Sequence, residues 1–174
     1  MANITTIRKA GAPALASSEV AAMVRRYSNA VSWTERPGER SSISILSAPN
    51  AADRAVMAGR RRDLSDALVP ADADAIGLMI SSIRSVMPSL DSSDPMQQVA
   101  LYRSALSRFP EWAVGQVCRA FLEGRAGGST TFAPTPADIA KRCADLIAPH
   151  QQEVAQISRI LDAEIIPEPE PDEK

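Results

Sequence analysis

From residue 70 onward, apolar side chains return every three or four positions, the period of helices that bury one face. Ile76, Met79, Ile80, Ile83 and Met87 line one such face, with Asp72 placed to cap its start and Pro88 to end it. After the loop SLDSSD, Asp94 followed by Pro95 is an N-cap with proline at the first helical position, opening a helix whose Val99, Tyr102 and Leu106 are expected inward. Phe109 closes that face. Pro110 and Glu111 begin a third helix. There Trp112, Val117, Phe121 and Leu122 make the largest aromatic concentration of the chain, the expected anchor of the core. Gly124, Gly127 and Gly128 stop it, because glycine accepts the left-handed backbone that C-terminal caps require. Thr135, Pro136 and Asp138 then supply a cap, a first-turn proline and a carboxylate that complements the helix dipole. The last apolar face runs through Ile139, Cys143, Leu146 and Ile147 and resumes at Val154, Ile157, Ile160 and Leu161, past a break expected at Pro149.

The first fifty residues are patterned differently. They are rich in Ala, Ser, Pro and Gly, and the stretch SWTERPGERSSISILSAPN mixes turn formers with charges, so little order is expected there. Val20, Met23, Val24 and Tyr27 predict one short helix, from about Ser18 to Val31. A further helix is expected to start at Asn50 as N-cap and run through ADRAVMAGRRRDLSDAL. At the other end, EIIPEPEPDEK alternates prolines, which remove backbone donors, with carboxylates that repel one another. The pattern therefore predicts an all-α chain, a small bundle of four to five helices. Residues 1–49 form a largely flexible region with one short helix, 50–163 a helical domain whose best-defined module is 70–148, and 164–174 a disordered acidic tail.

Composition agrees with helices. Aromatics are 4% of 174 residues, so the core must come from Ala, Leu, Ile, Val and Met, a palette suited to close-packed helices. No apolar h-region follows Arg8 and Lys9, and no apolar run approaches the roughly 20 residues of a membrane span, so a cytoplasmic protein is expected. Cys118 and Cys143 lack the spacing of a zinc site or a disulfide scaffold and read as reduced packing residues. The net charge of −2 hides an asymmetry: residues 1–62 hold 10 Lys and Arg against 4 Asp and Glu, and the remaining 112 hold 9 against 17. A basic arm for nucleic acid or an acidic partner, or a solvated tail, would each account for it.

Catalysis requires a nucleophile with its base, paired carboxylates or a metal cluster, and none is apparent. His150, the only histidine, sits in the polar stretch APHQQEV and reads as a surface residue. Asp72 and Asp74 point to different helix faces, and Asp91 and Asp94 lack the oxygen ligands and glycine of a calcium loop. GRAGGST lacks the Gly-Lys-Ser/Thr ending of a phosphate loop and follows a helix. No enzyme, metal or cofactor is expected, which leaves recognition. Trp112 is a core residue or an interface anchor; Phe132 either plugs the core ahead of the Thr135 cap or meets a partner. A second surface is basic: Arg60, Arg61 and Arg62, with Arg25 and Arg26 upstream.

The stretches IGLMISSIRSVMP, VALYRSALSRFPEWAVGQVCRAFLEG and FAPTPADIAKRC, from Ile76 to Cys143, together resemble the helical N-terminal domain of the phage-encoded loader and inhibitor proteins of replicative DNA helicases. Phe132, Ala133, Pro134, Thr135, Ala137, Asp138 and Ile139 carry the most specific part of the likeness, which covers about 70 residues. The resemblance implies a non-enzymatic DNA-replication accessory protein that binds a replicative helicase through a flexible C-terminal segment. Here that segment is short, acidic and proline-rich, and its candidate contacts are Glu164, Glu168, Glu170, Asp172 and Glu173. The longer N-terminal region would reach DNA or an initiator protein. Two alternatives stand beside this reading: a DNA-binding or regulatory helical protein using its basic N-terminal arm, and a virion assembly or scaffold component.

Overall fold

The computed structural model describes residues 11–34, 42–45, 47–87, 94–127 and 132–165. Among the described residues the chain is mostly helical, with six helices: α1 (Ser18–Ser28), α2 (Ala51–Ala67), α3 (Ala73–Val86), α4 (Pro95–Leu106), α5 (Glu111–Leu122) and α6 (Pro136–Asp162). Three short strands join them: β1 (Val31–Thr34), β2 (Ser42–Ile45) and β3 (Glu164–Ile165). The expected Pro88 stop, the SLDSSD loop up to Ser93, the Gly128 cap and the tail from residue 166 lie outside the described residues. The all-α class read from the pattern is the observed one.

The chain divides into two compact units, one centred on Asp66–Pro149 and the other made of Ala14–Ser65 with the stretch from His150. In the first, caps set the helix starts. Asp72 Oδ1 accepts from the Asp74 amide at 2.6 Å, and Asp94 Oδ1 from the Met96 amide at 2.9 Å, each satisfying an N–H that the helix itself cannot. At α6 the cap is reciprocal. Thr135 Oγ1 accepts from the Asp138 amide at 3.2 Å while Asp138 Oδ2 accepts from the Thr135 amide at 3.0 Å and from its hydroxyl at 2.6 Å. Gly124 and Gly127, at φ 69° and 67°, take the chain out of α5 in the left-handed region. Ile76, Ile80 and Ile83 of α3, Tyr102 and Leu106 of α4, Val114, Val117 and Phe121 of α5, and Ile139, Cys143 and Ile147 of α6 close one core. The Tyr102 hydroxyl donates to the Pro134 carbonyl at 2.6 Å, tying α4 to the loop that feeds α6.

The second unit has its own core of Val24, Tyr27, Ile45, Met57, Ile157, Ile160 and Leu161. Asn50 caps α2 as expected, its Oδ1 accepting from the Asp53 amide at 2.8 Å. Tyr27 Oη donates to Asp53 Oδ2 at 2.7 Å, a bond that also raises the tyrosine pKa. The sheet order is β1-β2-β3, with β1 antiparallel to β2 (Val31 opposite Ile45) and β3 parallel to β2 (Ile45 opposite Ile165).

Several expectations need correction. The first helix ends at Ser28, not Val31; the Asn29 amide closes it on the Arg25 carbonyl, and the β-branched Val31 starts a strand. No break occurs at Pro149, because α6 is continuous from Pro136 to Asp162. His150 is buried, not on the surface, since the continued helix turns it inward while Pro149 and Gln151 stay out. Leu122 is 42% exposed: one residue on from the buried Phe121, it lies 100° around the helix. Glu164 is not the first residue of a tail but pairs within β3, opposite Ser44 on the side of β2 away from β1.

The Asp138 carboxyl is held below its ordinary pKa of 3.8, first by the Thr135 hydroxyl and then by the Thr135 amide. A depressed folded-state value means stability that is present above pH 3.8 and lost as pH falls through the folded pKa. Thr135→Ala should therefore lower unfolding stability by about 1 kcal/mol at pH 7. In urea melts at pH 7 and pH 3 it should also narrow the difference between the two.

Candidate functional site

Helices α3 and α4 of the first unit lie side by side in opposite directions, with Asp74 beside Arg103 at 3.1 Å. Between them runs an open groove of about 510 Å³, lined in part by the small residues Gly77, Ser81 and Ala100. Its rims are apolar and uncovered: Leu78 is 72% and Met96 77% exposed. Val99, expected in the core, lines this groove and is only half-buried. The guanidinium of Arg103 lies flat on the α3 backbone, where a Cβ at Gly77 would stand 2.6 Å from Nη2, so glycine is what allows the close approach. Arg103 Nε is buried there without a hydrogen-bond partner among the described residues. Chemically the groove accepts apolar side chains and offers one charged end.

Trp112 is half-buried against the core, and its indole Nε1 donates to the Ala67 carbonyl at 2.7 Å. That bond satisfies the donor a buried tryptophan must place. Phe132 is half-buried just before the Thr135 cap. The two aromatics thus keep part of their surface for contact. Both cysteines are buried in the same core, and burial pushes each thiol up to about 12, so neither is a ready nucleophile.

The predicted basic residues all fall in the second unit, and several of them are already engaged. Arg60 reaches Glu153 with two bonds, Nε at 2.7 Å and Nη2 at 2.9 Å, and Nη2 also donates to the Ala14 carbonyl at 2.9 Å. Its side chain is only 15% exposed, and the carboxylate partner raises its pKa. Arg61 stands 3.5 Å from Asp162, an exposed and longer pair. Arg54, which the pattern did not single out, donates to the Leu161 carbonyl at 2.8 Å, near the C-terminal end of α6 where cations are favoured. Arg26 lies over the Tyr27 ring, 5.4 Å from its centroid. Arg25 and Arg62 are exposed with no ion pair among the described residues. Of the acidic residues, Glu164 is exposed in β3, while Glu168, Glu170, Asp172 and Glu173 lie outside the described residues.

Among the described residues, no group of three or more His, Cys, Asp or Glu is placed to hold a metal ion, and no helix is long and apolar enough to cross a membrane. No protein-family model, curated protein or solved structure matches the chain.

The α3–α4 groove was missed by the periodicity argument, which looked for buried faces. A signal for it was present. In α3, Leu78 and Val86 are apolar residues in excess of the Ile76, Ile80, Ile83 stripe, and both are more than 70% exposed. The commitment of Arg60 is directly testable: Arg60→Ala should cost about 2 kcal/mol of unfolding stability by removing a charged, partly buried hydrogen-bond pair. Arg62→Ala should stay within about 0.5 kcal/mol. Urea denaturation of the two variants makes the comparison.

Proposed function

We propose that this protein is a non-enzymatic accessory factor of phage or prophage DNA replication, which binds a replicative helicase and either loads it or holds it inactive. One observation carries the reading. The three stretches that resemble the helicase-loader family, from Ile76 to Cys143, all fall within a single compact unit around a single core. The likeness therefore follows a folding unit, with its caps at Asp94 and Thr135 in working order, and not a scatter of unrelated helices.

In this reading the helical unit is the rigid part, and the acidic segment carrying Glu168, Glu170, Asp172 and Glu173 captures the helicase. Glu164 stands at the root of that segment, and Phe132 and Trp112 are candidate contacts on the first unit by itself. A second contact, to an initiator protein or to DNA, adds to the first through its raised effective concentration.

A DNA-binding reading has its own support in Arg25 and Arg62, exposed cations without ion pairs among the described residues. Arg26 and Arg61 would assist them. Arg60 would not, because its guanidinium is already engaged by Glu153.

The test is co-purification of the tagged full-length chain from infected or lysogenic cells. A hexameric helicase should be retained, and deletion of residues 166–174, which leaves β3 in place, should reduce its recovery at least roughly tenfold, the signature of about 1.4 kcal/mol or more of binding. Retention of nucleic acid alone, released steeply as salt rises and weakened by Arg25→Ala with Arg62→Ala, would replace the helicase reading with the DNA-binding one.

A further inference from the structure

Helices α3 and α4 carry few charges. Of the 14 residues of α3 and the 12 of α4, only Asp74, Arg84 and Arg103 are charged, where charged residues make up 23% of the whole chain. On the side that meets solvent, Leu78, Ser81 and Ser85 of α3 and Met96 and Ala100 of α4 are all exposed. A single exposed apolar residue is ordinary, but Leu78 and Met96 line one groove.

The spacing along this face is regular. Asp74, Leu78, Ser81 and Ser85 follow one another at intervals of four, three and four, and Met96, Ala100 and Arg103 at four and three. That is the 3.5-residue period with which helices of a bundle present a seam to a neighbour. The inward stripes are other residues, Ile76, Ile80 and Ile83 on α3 and Tyr102 and Leu106 on α4. Each helix therefore carries a second seam, and this one is left exposed.

Size and charge alternate across the groove. With Asp74 beside Arg103 at 3.1 Å, two antiparallel helices of equal rise place Leu78 opposite Ala100 and Ser81 opposite Met96. Each apolar level thus holds one large residue and one small one, and the end level one anion and one cation. Turned about a two-fold axis running along the groove, such a face fits itself. Leu78 then lies against Ala100 of the second copy, Met96 against its Ser81 and Asp74 against its Arg103, with every neighbouring helix antiparallel, as in an up-down-up-down bundle. The charges allow it. The Asp74 side chain is 89% exposed and holds Arg103 by one hydrogen bond, from Nη2 to Oδ1, which leaves a carboxylate oxygen for a second guanidinium.

We propose that the α3–α4 face is a dimer interface, on which a second copy of this chain seats its own α3 and α4 to complete a four-helix bundle. An unrelated partner would have to supply small residues opposite Leu78 and Met96 and both charges at one end. A second copy brings them already in register.

The experiment is sedimentation equilibrium of the full chain from about 1 μM to about 1 mM, the range of weak to moderate self-association. The mass should rise from 18.6 kDa to twice that value. Leu78→Lys changes an exposed position, so the variant should keep its helical circular dichroism while the dimer dissociation constant rises at least roughly tenfold, because two ammonium groups would be buried without partners. Disulfide trapping in a glutathione redox buffer tests the register without that variant. A Leu78→Cys chain should cross-link faster to an Ala100→Cys chain than to a Leu101→Cys chain, whose exposed position lies 100° further around α4; Cys118 and Cys143 are buried and stay out of the exchange. A wild-type chain that remains at 18.6 kDa over the whole range overturns the proposal. So does a dimer that a folded Leu78→Lys chain forms equally well, or one in which Leu101→Cys cross-links as fast as Ala100→Cys. No helicase takes part in these measurements, so their outcome is separate from that of the replication reading.

Discussion

The structure depends most on one helix serving two cores. Ile139, Cys143 and Ile147 of α6 belong to one, and Ile157, Ile160 and Leu161 to the other. Apolar burial of this kind contributes about 1.5–3 kcal/mol per large side chain, far more than any one ion pair on the surface. Everything that positions α6 is therefore amplified. At its start the Thr135–Asp138 cap and the Tyr102 bond to Pro134 fix where the helix begins, and so which residues face the first core. At its far end the Arg54 bond to the Leu161 carbonyl and the β3 pairing with β2 fix where it stops.

The arginines of α2 belong to the same arrangement. Arg60 and Arg61 reach Glu153 and Asp162 of α6, residues 93 and 101 positions further along the chain. Paired charges separated so widely contribute little to a local helix but a good deal to the register between two helices, because bidentate guanidinium–carboxylate geometry is directional. The charge asymmetry of the sequence, basic before residue 62 and acidic after it, thus has an internal use in the second unit. An arginine held by two bonds to a carboxylate and a third to a carbonyl has few donors left for a phosphate, so the cation count of a segment overstates its affinity for nucleic acid.

What was legible in the sequence was what is local. Asp72, Asp94 with Pro95, and Thr135 with Asp138 marked helix starts of the first unit, since a cap and the amide it satisfies lie within a few residues of each other, while α5 starts at Pro110 with no side-chain cap bond. The isoleucines of α3 and α6 marked their buried faces by spacing alone. What was not legible depended on distant partners. β3 is two residues long and exists only by pairing with the distant β2, Ser44 opposite Glu164, so no window of sequence contains the reason for it. Pro149 was read as a break because the rule for proline is local, whereas a helix packed on both sides of a proline can be carried across it. His150 reads as a surface residue from its polar neighbours in APHQQEV, whereas in the continuous helix it turns inward and is buried.

The candidate site shows the same division in reverse. Phe132 and Trp112 stand out because aromatics are scarce in this chain, yet Trp112 spends its polar atom on the Ala67 carbonyl and rests partly on the core, and Phe132 is half-buried. Leu78 and Met96 do not, because leucine and methionine are the ordinary currency of helices and are normally buried. Their exposure along a groove also lined by Gly77, Ser81 and Ala100 is the more informative observation, since apolar side chains left uncovered are available for contact. Scarcity of a residue type is a property of composition; availability for contact is a property of packing. Only the second bears on what a surface can bind, and it follows from which apolar residues the core had no room for.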